Sequence, residues 1–265
     1  MAQLATRIRG PVSVIGDVHG QVDQLASVLD QLRSRPDFDD RWIVFIGDLV
    51  DRGPDSKGAL DVVCDLLLEH PRTTIVSGNH ELAMAGALNL VPVPEYAEWK
   101  ERWVQDYLSE STFDSYGVAH GDLDGLRSAL PERHVDLLTD LPWSVEHPEF
   151  CFVHAGLDPN TPFEMQVRIL RQKDYSLNRP QWLCSKSLVT APVPADCPVT
   201  VVSGHVQVPA VRIEPQRILI DTTGGAGGDL SCVLLPEREV ISSSGNPVVE
   251  TVGASRSSKS WWKIW

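Results

Sequence analysis

Gly47-Asp48-Leu49-Val50-Asp51-Arg52-Gly53 follows the apolar run Trp42-Ile43-Val44-Phe45-Ile46, and this junction decides the fold. A run apolar throughout and partly β-branched reads as a strand covered on both faces. The chain then turns at Gly47 and presents two carboxylates and a guanidinium. Polar groups just past the carboxyl end of a buried strand lie where open α/β sheets hold ligands.

The pattern repeats on either side. Val12-Ser13-Val14-Ile15 leads into Gly16-Asp17-Val18-His19-Gly20, and Thr73-Thr74-Ile75-Val76-Ser77 into Gly78-Asn79-His80-Glu81. Asp17, Asp48 and Asn79 are separated by 31 residues at each step, about the length of one strand-helix-strand unit. One Asp after a strand is ordinarily a helix N-cap. Three such sites at one interval, each marked by Gly, predict instead that neighbouring strands deliver Asp/His, Asp and Asn/His to a shared rim. Oxygen donors mixed with imidazoles suit divalent transition metals, and a carboxylate can bridge two of them. Two later strands end in the same way, Phe150 to Val153 before His154-Ala155-Gly156 and Val199 to Val202 before Ser203-Gly204-His205.

The helical periodicity of Val22, Leu25, Val28, Leu29 and Leu32 predicts a helix after the first strand. Leu60, Val63, Cys64, Leu67 and Leu68 are expected on the apolar face of a second. A third is expected over 81–88. Residues 89–143 break the rhythm and read as a helical insertion over the rim, with helices over 97–108 and 131–141 and aromatics serving as the insertion's core. Strands at 217–222 and 230–235, with Gly224 to Gly228 turning between them, complete the reading. The fold class expected is α/β: a two-sheet β-sandwich flanked by helices, in one domain over 1–241. Met1 to Gly10 reads as a frayed lead-in. Residues 242–265 read as a Ser-rich linker and tail whose Trp261, Trp262, Trp265 and neighbouring Lys would dock on the domain or a partner.

Composition narrows the function. The 265 residues are 42% hydrophobic, in the globular range, and carry a net charge of −13. That balance disfavours nucleic acid as a partner. A phosphate site on so acidic a body needs local positive charge from metals and Arg. Five cysteines (Cys64, Cys151, Cys184, Cys197 and Cys232) form no CxxC pair and are odd in number, as expected in a reducing, cytoplasmic setting. No secretory leader is read before the first strand, and no apolar run approaches the roughly 18 residues that membrane insertion needs.

GDVHG (16–20), GDLVDRG (47–53), GNHE (78–81), HAG (154–156) and GH (204–205) stand in an order and spacing that resembles the bacterial Ser/Thr phosphoprotein phosphatases, within the calcineurin-like metallophosphoesterases. Thr112-Phe113-Asp114-Ser115-Tyr116-Gly117 is similar to a segment of bacterial members, and the likeness spans about 12–235. It implies two divalent metals, Mn before Fe, Zn or Co. Asp17 and His19 would hold the first metal, Asp48 would bridge, and Asn79, His154 and His205 would hold the second. It implies His80 as general acid, Asp51 as its partner and Arg52 as a phosphate grip, with Asn79 also near the phosphate. A second phosphate-gripping Arg, often in a Trp-x-Arg context, has no plain counterpart; Lys186, Arg171 and Arg168 are the candidates. The function implied is hydrolysis of phosphoserine or phosphothreonine esters by in-line attack of a metal-bridging hydroxide. The alternatives are hydrolysis of a small phosphate compound such as symmetric diadenosine tetraphosphate, and a non-catalytic metal-binding scaffold. Diadenosine tetraphosphate hydrolases commonly lack the carboxylate that stands here as Asp51.

Overall fold

The structure, a computed structural model, describes residues 4–225 and 227–252. The first half alternates β1 (Val12–Ile15), α1 (Val22–Arg33), β2 (Trp42–Phe45), α2 (Ser56–Glu69), β3 (Thr73–Ile75) and α3 (Asn79–Ala87). Short helices follow: α4 (Trp99–Asp106), α5 (Glu110–Ser115), α6 (Leu123–Ala129) and α7 (Glu132–Asp140). The second half begins with β4 (Val145–Glu146), β5 (Phe150–Phe152), α8 (Phe163–Gln172), α9 (Gln181–Cys184) and α10 (Lys186–Thr190). It ends with β6 (Thr200–Ser203), β7 (Val211–Ile213), β8 (Arg217–Leu219), β9 (Ser231–Leu235), β10 (Glu239–Ser242) and β11 (Val249–Thr251).

Among the described residues these strands form two sheets, ordered β10-β9-β1-β2-β3 and β11-β7-β8-β6-β5-β4. The centre of each is parallel: β1, β2 and β3 in the first, β5, β6 and β8 in the second. Period-two alternation explains the continuous apolar runs. Val44 and Ile46 join Val12, Val14, Phe152, Val202 and Ile218 in the core between the sheets. Ile43 and Phe45 point the other way, into the core shared with the helices. The architecture is the helix-flanked two-sheet α/β sandwich expected from the sequence. Because both parallel cores run the same way out of the apolar layer, their carboxyl ends converge on one rim.

Several local expectations are corrected. Residues 4–10 are not frayed: Leu4 and Ile8 are buried, and Ile8 N donates to Glu146 O at 2.9 Å. Leu68 is 72% exposed while Leu66 is buried, because three consecutive leucines cannot share one helical stripe. The Gly-rich stretch after β8 is not a hairpin turn; it carries the chain from the second sheet back to the first. Residues past 242 are not all linker, since Val249–Thr251 pairs in parallel with Val211–Ile213. The terminal Trp/Lys cluster lies outside the described residues. All five cysteines are free and buried. No helix among the described residues is long and apolar enough to cross a membrane.

Candidate active site

The loops after β1, β2 and β6 leave the sheets through unusual backbone. His19, Asp48, Asp51, Arg52 and His205 all have positive φ, between 45° and 73°. Left-handed backbone in non-glycine residues costs of order 1–3 kcal/mol each and persists only where surrounding structure fixes it. Two glycines make room for the carboxylates. A Cβ at Gly78 would lie 2.0 Å from Asp48 Oδ1, and one at Gly204 would lie 1.9 Å from Asp17 Oδ1. Both positions therefore require the absence of a side chain.

Asp48 is the hub. Its Oδ2 stands 3.2 Å from His154 Nε2, 3.6 Å from His19 Nε2 and 3.9 Å from His80 Nε2. Donor atoms of His19, Asp48 and His80 lie within 4.8 Å of one another, as do those of Asp48, His154 and His205. Asp48 belongs to both groups, which suits a bridging carboxylate. The imidazoles are aimed by their other nitrogens: His19 Nδ1 bonds Val50 O at 2.8 Å, and His154 Nδ1 bonds Ile46 O at 2.8 Å. Such outer bonds fix the tautomer of a metal-ligating His. Asn79 opens α3 and places Oδ1 3.1 Å from His154 Nε2. His205 Nδ1 lies 3.2 Å from His154 Nε2, and His205 N donates to Asp17 Oδ2 at 2.9 Å.

Glu81, the last residue of the third motif, positions the hub. Its buried carboxylate accepts the backbone N–H groups of Asp48, Leu49, Val50 and Gly78 at 2.8, 2.6, 3.2 and 2.9 Å. One side chain thus ties the second loop to the third and fixes Asp48.

His80 and Asp51 form a buried pair, with Nδ1 2.8 Å from Oδ2. Asp51 is clasped further. Trp103 Nε1 donates to Oδ2 at 2.9 Å and Thr112 Oγ1 donates to Oδ1 at 2.5 Å. Both donors come from the helical insertion, as does Tyr107, whose ring centroid lies 4.9 Å from that of His80. Trp103 is core, as expected for the insertion's aromatics, but its indole N–H also fastens the dyad. Thr112 opens the Thr-Phe-Asp-Ser-Tyr-Gly segment, which was the sequence signal for it.

Electrostatics mark where cations belong. Burial pushes His19 and His205 down to about 3, with His80 and His154 respectively adding to the effect. Burial also opposes charge on His154 and Asp48. Their mutual attraction nevertheless raises His154 to about 10, and His154 with His80 holds Asp48 well below the usual carboxylate range. Asp17 is raised well above that range, by burial first and then by the neighbouring Asp221. Asp17 Oδ1, His19 Nε2, His205 Nε2 and Asp221 Oδ2 are all buried without a protein partner. Unpaired buried groups of this kind cost about 1–3 kcal/mol each, more when charged. These orphans are Lewis bases gathered at one rim, so the residues present fit divalent ions.

The phosphate-side cations divide. Arg52 leans on the Gly-rich loop, its Nη1 donating to Gly224 O at 3.2 Å. Lys186, the first residue of α10, is exposed and near enough for its charge to act on His205. Arg171 is not at the site: its guanidinium is held by both oxygens of Glu146, at 2.6 and 2.5 Å. Arg168 lies on the solvent face of α8. The Trp-x-Arg pattern reads Trp182-Leu183-Cys184 here. Arg179, missed in the sequence, lies against Cys184 with its charge acting on Tyr107. Arg179 comes from the loop before α9, and no sequence spacing announced it.

A family model described as calcineurin-like phosphoesterase matches residues 10–221. A symmetrical bis(5'-nucleosyl)-tetraphosphatase of Vibrio cholerae is 27% identical over 169 residues, 64% of this chain and 53% of that protein. Serine/threonine-protein phosphatase 1 of Salmonella typhimurium is 44% identical over a shorter stretch of 70 residues, 26% of this chain and 29% of the other. The chain spans about half the length of the tetraphosphatases it matches. Among solved structures, a protein provisionally titled a diadenosine tetraphosphatase superposes with a TM-score of 0.57 at 23% identity, covering 90% of this chain and 97% of that one. A protein serine/threonine phosphatase from Saccharomyces cerevisiae gives 0.55 at 14% identity, covering 95% and 85%. At these identities the superpositions speak to fold alone.

Proposed function

We propose, from the premise that the chain belongs to the calcineurin-like phosphoesterase family, that it hydrolyses phosphoserine and phosphothreonine esters on proteins. One observation carries the choice of substrate: the His80–Asp51 dyad, buried and clasped by Trp103 and Thr112. A seryl or threonyl oxygen is a poor leaving group and needs a proton as the P–O bond breaks. A nucleotide polyphosphate leaves as a stabilised anion and needs that proton far less. A carboxylate-oriented imidazole at the rim is therefore best explained by an alkoxide leaving group.

Two divalent ions, held by Asp17, His19, Asp48, Asn79, His154 and His205, would supply Lewis acidity toward the phosphoryl oxygens and ionise a water at neutral pH. The chain's own groups do the rest. Arg52 binds equatorial phosphate oxygens through its planar fork. Arg179 or Lys186 adds a second positive charge. His80 protonates the departing oxygen through Nε2, and Asp51 holds Nδ1–H and stabilises the imidazolium that is poised to donate. Manganese is the first choice of ion and a cytoplasmic setting the expected one. The domain that would suffice for catalysis extends past 241 to include β11.

A second reading, hydrolysis of symmetrical dinucleoside tetraphosphates, is favoured by the longer alignment with the Vibrio cholerae protein. Turnover of a phosphothreonine peptide and of diadenosine tetraphosphate, measured side by side with Mn2+ added, separates the two. The protein-phosphatase reading expects the peptide to be turned over with the higher kcat/KM, and a preference for the dinucleotide would overturn it.

A further inference from the structure

Asp221 lies two residues beyond β8, at the start of the loop that returns the chain to the first sheet. It is 1% exposed. Oδ1 accepts the N–H of Gly224 at 2.9 Å, a local turn bond that uses one oxygen. Oδ2 has no protein partner, and the same holds for Oδ1 of the neighbouring Asp17. The loop gives neither carboxylate freedom to turn away. Thr223 Oγ1 donates to Asp17 O at 2.7 Å, and Val208 N donates to Asp221 O at 2.8 Å. Ile220 N donates to Ser203 O at 3.0 Å, fixing the strand that precedes it. Arg52 borders the loop, with Nη1 donating to Gly224 O. Two buried carboxylates are thus held side by side with an unpaired oxygen each. The positive charge of His154, and of Arg52 toward Asp221, offsets only part of this against burial and the neighbouring carboxylates, and like charges so placed are costly.

We propose that Asp221 is a further carboxylate of the metal centre, paired with the divalent ion that Asp17 faces. This goes beyond the six ligands implied by the motifs. It rests on the reading that the rim binds divalent ions and is indifferent to which phosphoester is cleaved. A shared cation relieves the Asp17–Asp221 repulsion. It also explains why a buried oxygen is left free on a loop that Thr223 and the Asp221 backbone tie to its neighbours.

The test is a titration of the chelator-stripped full chain with Mn2+ by calorimetry, beside thermal unfolding with and without Mn2+. Asp221→Asn keeps the Gly224 bond and removes the charge. Expected are an affinity for one of the two ions lowered about 10- to 100-fold, a smaller rise in Tm on adding Mn2+, and an apoprotein at least as stable as the unsubstituted chain. Thr223→Val, which loosens the loop but leaves Asp221 in place, should lower the affinity less. Unchanged affinity at both ions in Asp221→Asn would overturn the proposal. So would an apoprotein that melts lower or fails to fold, or a loss in Thr223→Val as large as in Asp221→Asn, because each would make Asp221 a fastener of the loop. Wild-type chain that binds Mn2+ but cleaves no phosphopeptide would break the proposed function and leave this inference standing.

Discussion

The two halves of the rim are built differently. The loops after β1, β2 and β3 are tied to one another: Glu81 gathers four backbone N–H groups, and Asp51 gathers His80, Trp103 and Thr112. The loops after β6 and β8 bring His205 and Asp221 with donor atoms left unpaired, and they face the equally unpaired Asp17. In the first half the groups that orient Asp48 and His80 are satisfied by protein alone, while Asp17 and His19 keep one unpaired atom each. The second half is complete only when cations supply the missing partners. The residues that orient and protonate should therefore survive metal removal, whereas the His205–Asp221 side should not.

The largest effect expected is at the hub, where the halves meet. Asp48→Asn should lower bound metal, read by elemental analysis, and reduce phosphatase turnover together. The loss should be about a thousandfold, since metal stabilisation of the transition state amounts to several kcal/mol. Full metal occupancy in that variant would dissolve the distinction between the halves.

His80→Asn should cut kcat on a phosphothreonine peptide by roughly 10²–10⁴ while both ions stay bound. The loss on diadenosine tetraphosphate, with its better leaving group, should be smaller. An equal loss on both substrates would show that the first half contributes something other than a proton.

Thr112→Val and Trp103→Phe each remove one hydrogen bond to the Asp51 carboxylate, a contact of about 1.5–3 kcal/mol. Each should lower kcat about tenfold or more with KM little changed. If either instead lowers metal content, the insertion supports the ions and not the dyad. Arg179→Ala should raise KM several-fold, in line with loss of one charge-assisted phosphate contact. Arg171→Ala, on an exposed pair with Glu146, should leave kinetics unchanged and cost under about 1 kcal/mol.

The smallest effect lies away from the rim. His134 in α7 sits between Tyr116 and Asp61, with Nδ1 2.7 Å from Tyr116 Oη and Nε2 3.1 Å from Asp61 Oδ1. Burial lowers its pKa, although Asp61 pulls it back. A histidine depressed in the folded state takes up its proton more readily when unfolded. Its contribution is therefore fully present above the unfolded value of about 6.5 and is lost as pH falls below it. Tm of the Mn2+-loaded chain should drop between about pH 7.5 and pH 5.5, less steeply in His134→Gln. Equal slopes would remove His134 from the account.

The sequence by itself determined the strands that lead into the rim and the two-sheet architecture, while β4, β7, β10 and β11 escaped it. Period-two burial makes a strand covered on both faces read as an unbroken apolar run, and glycine is needed wherever backbone must crowd a carboxylate, as at Gly78 and Gly204. Asp17, His19, Asp48, Asn79, His154 and His205 were legible because each sits immediately after such a run. What escaped the sequence is whatever depends on elements distant along the chain meeting at the rim. Trp103 and Thr112 reach Asp51 from 52 and 61 residues away. Arg179 comes from a loop with no periodicity, and Arg171, which looked available, is spent on Glu146. Asp221 reads as an ordinary strand-end Asp until the fold sets its carboxylate beside Asp17. Local spacing encodes what a strand's own turn can present. Charge balance among groups that only the folded chain brings together is decided by the packing of the two sheets.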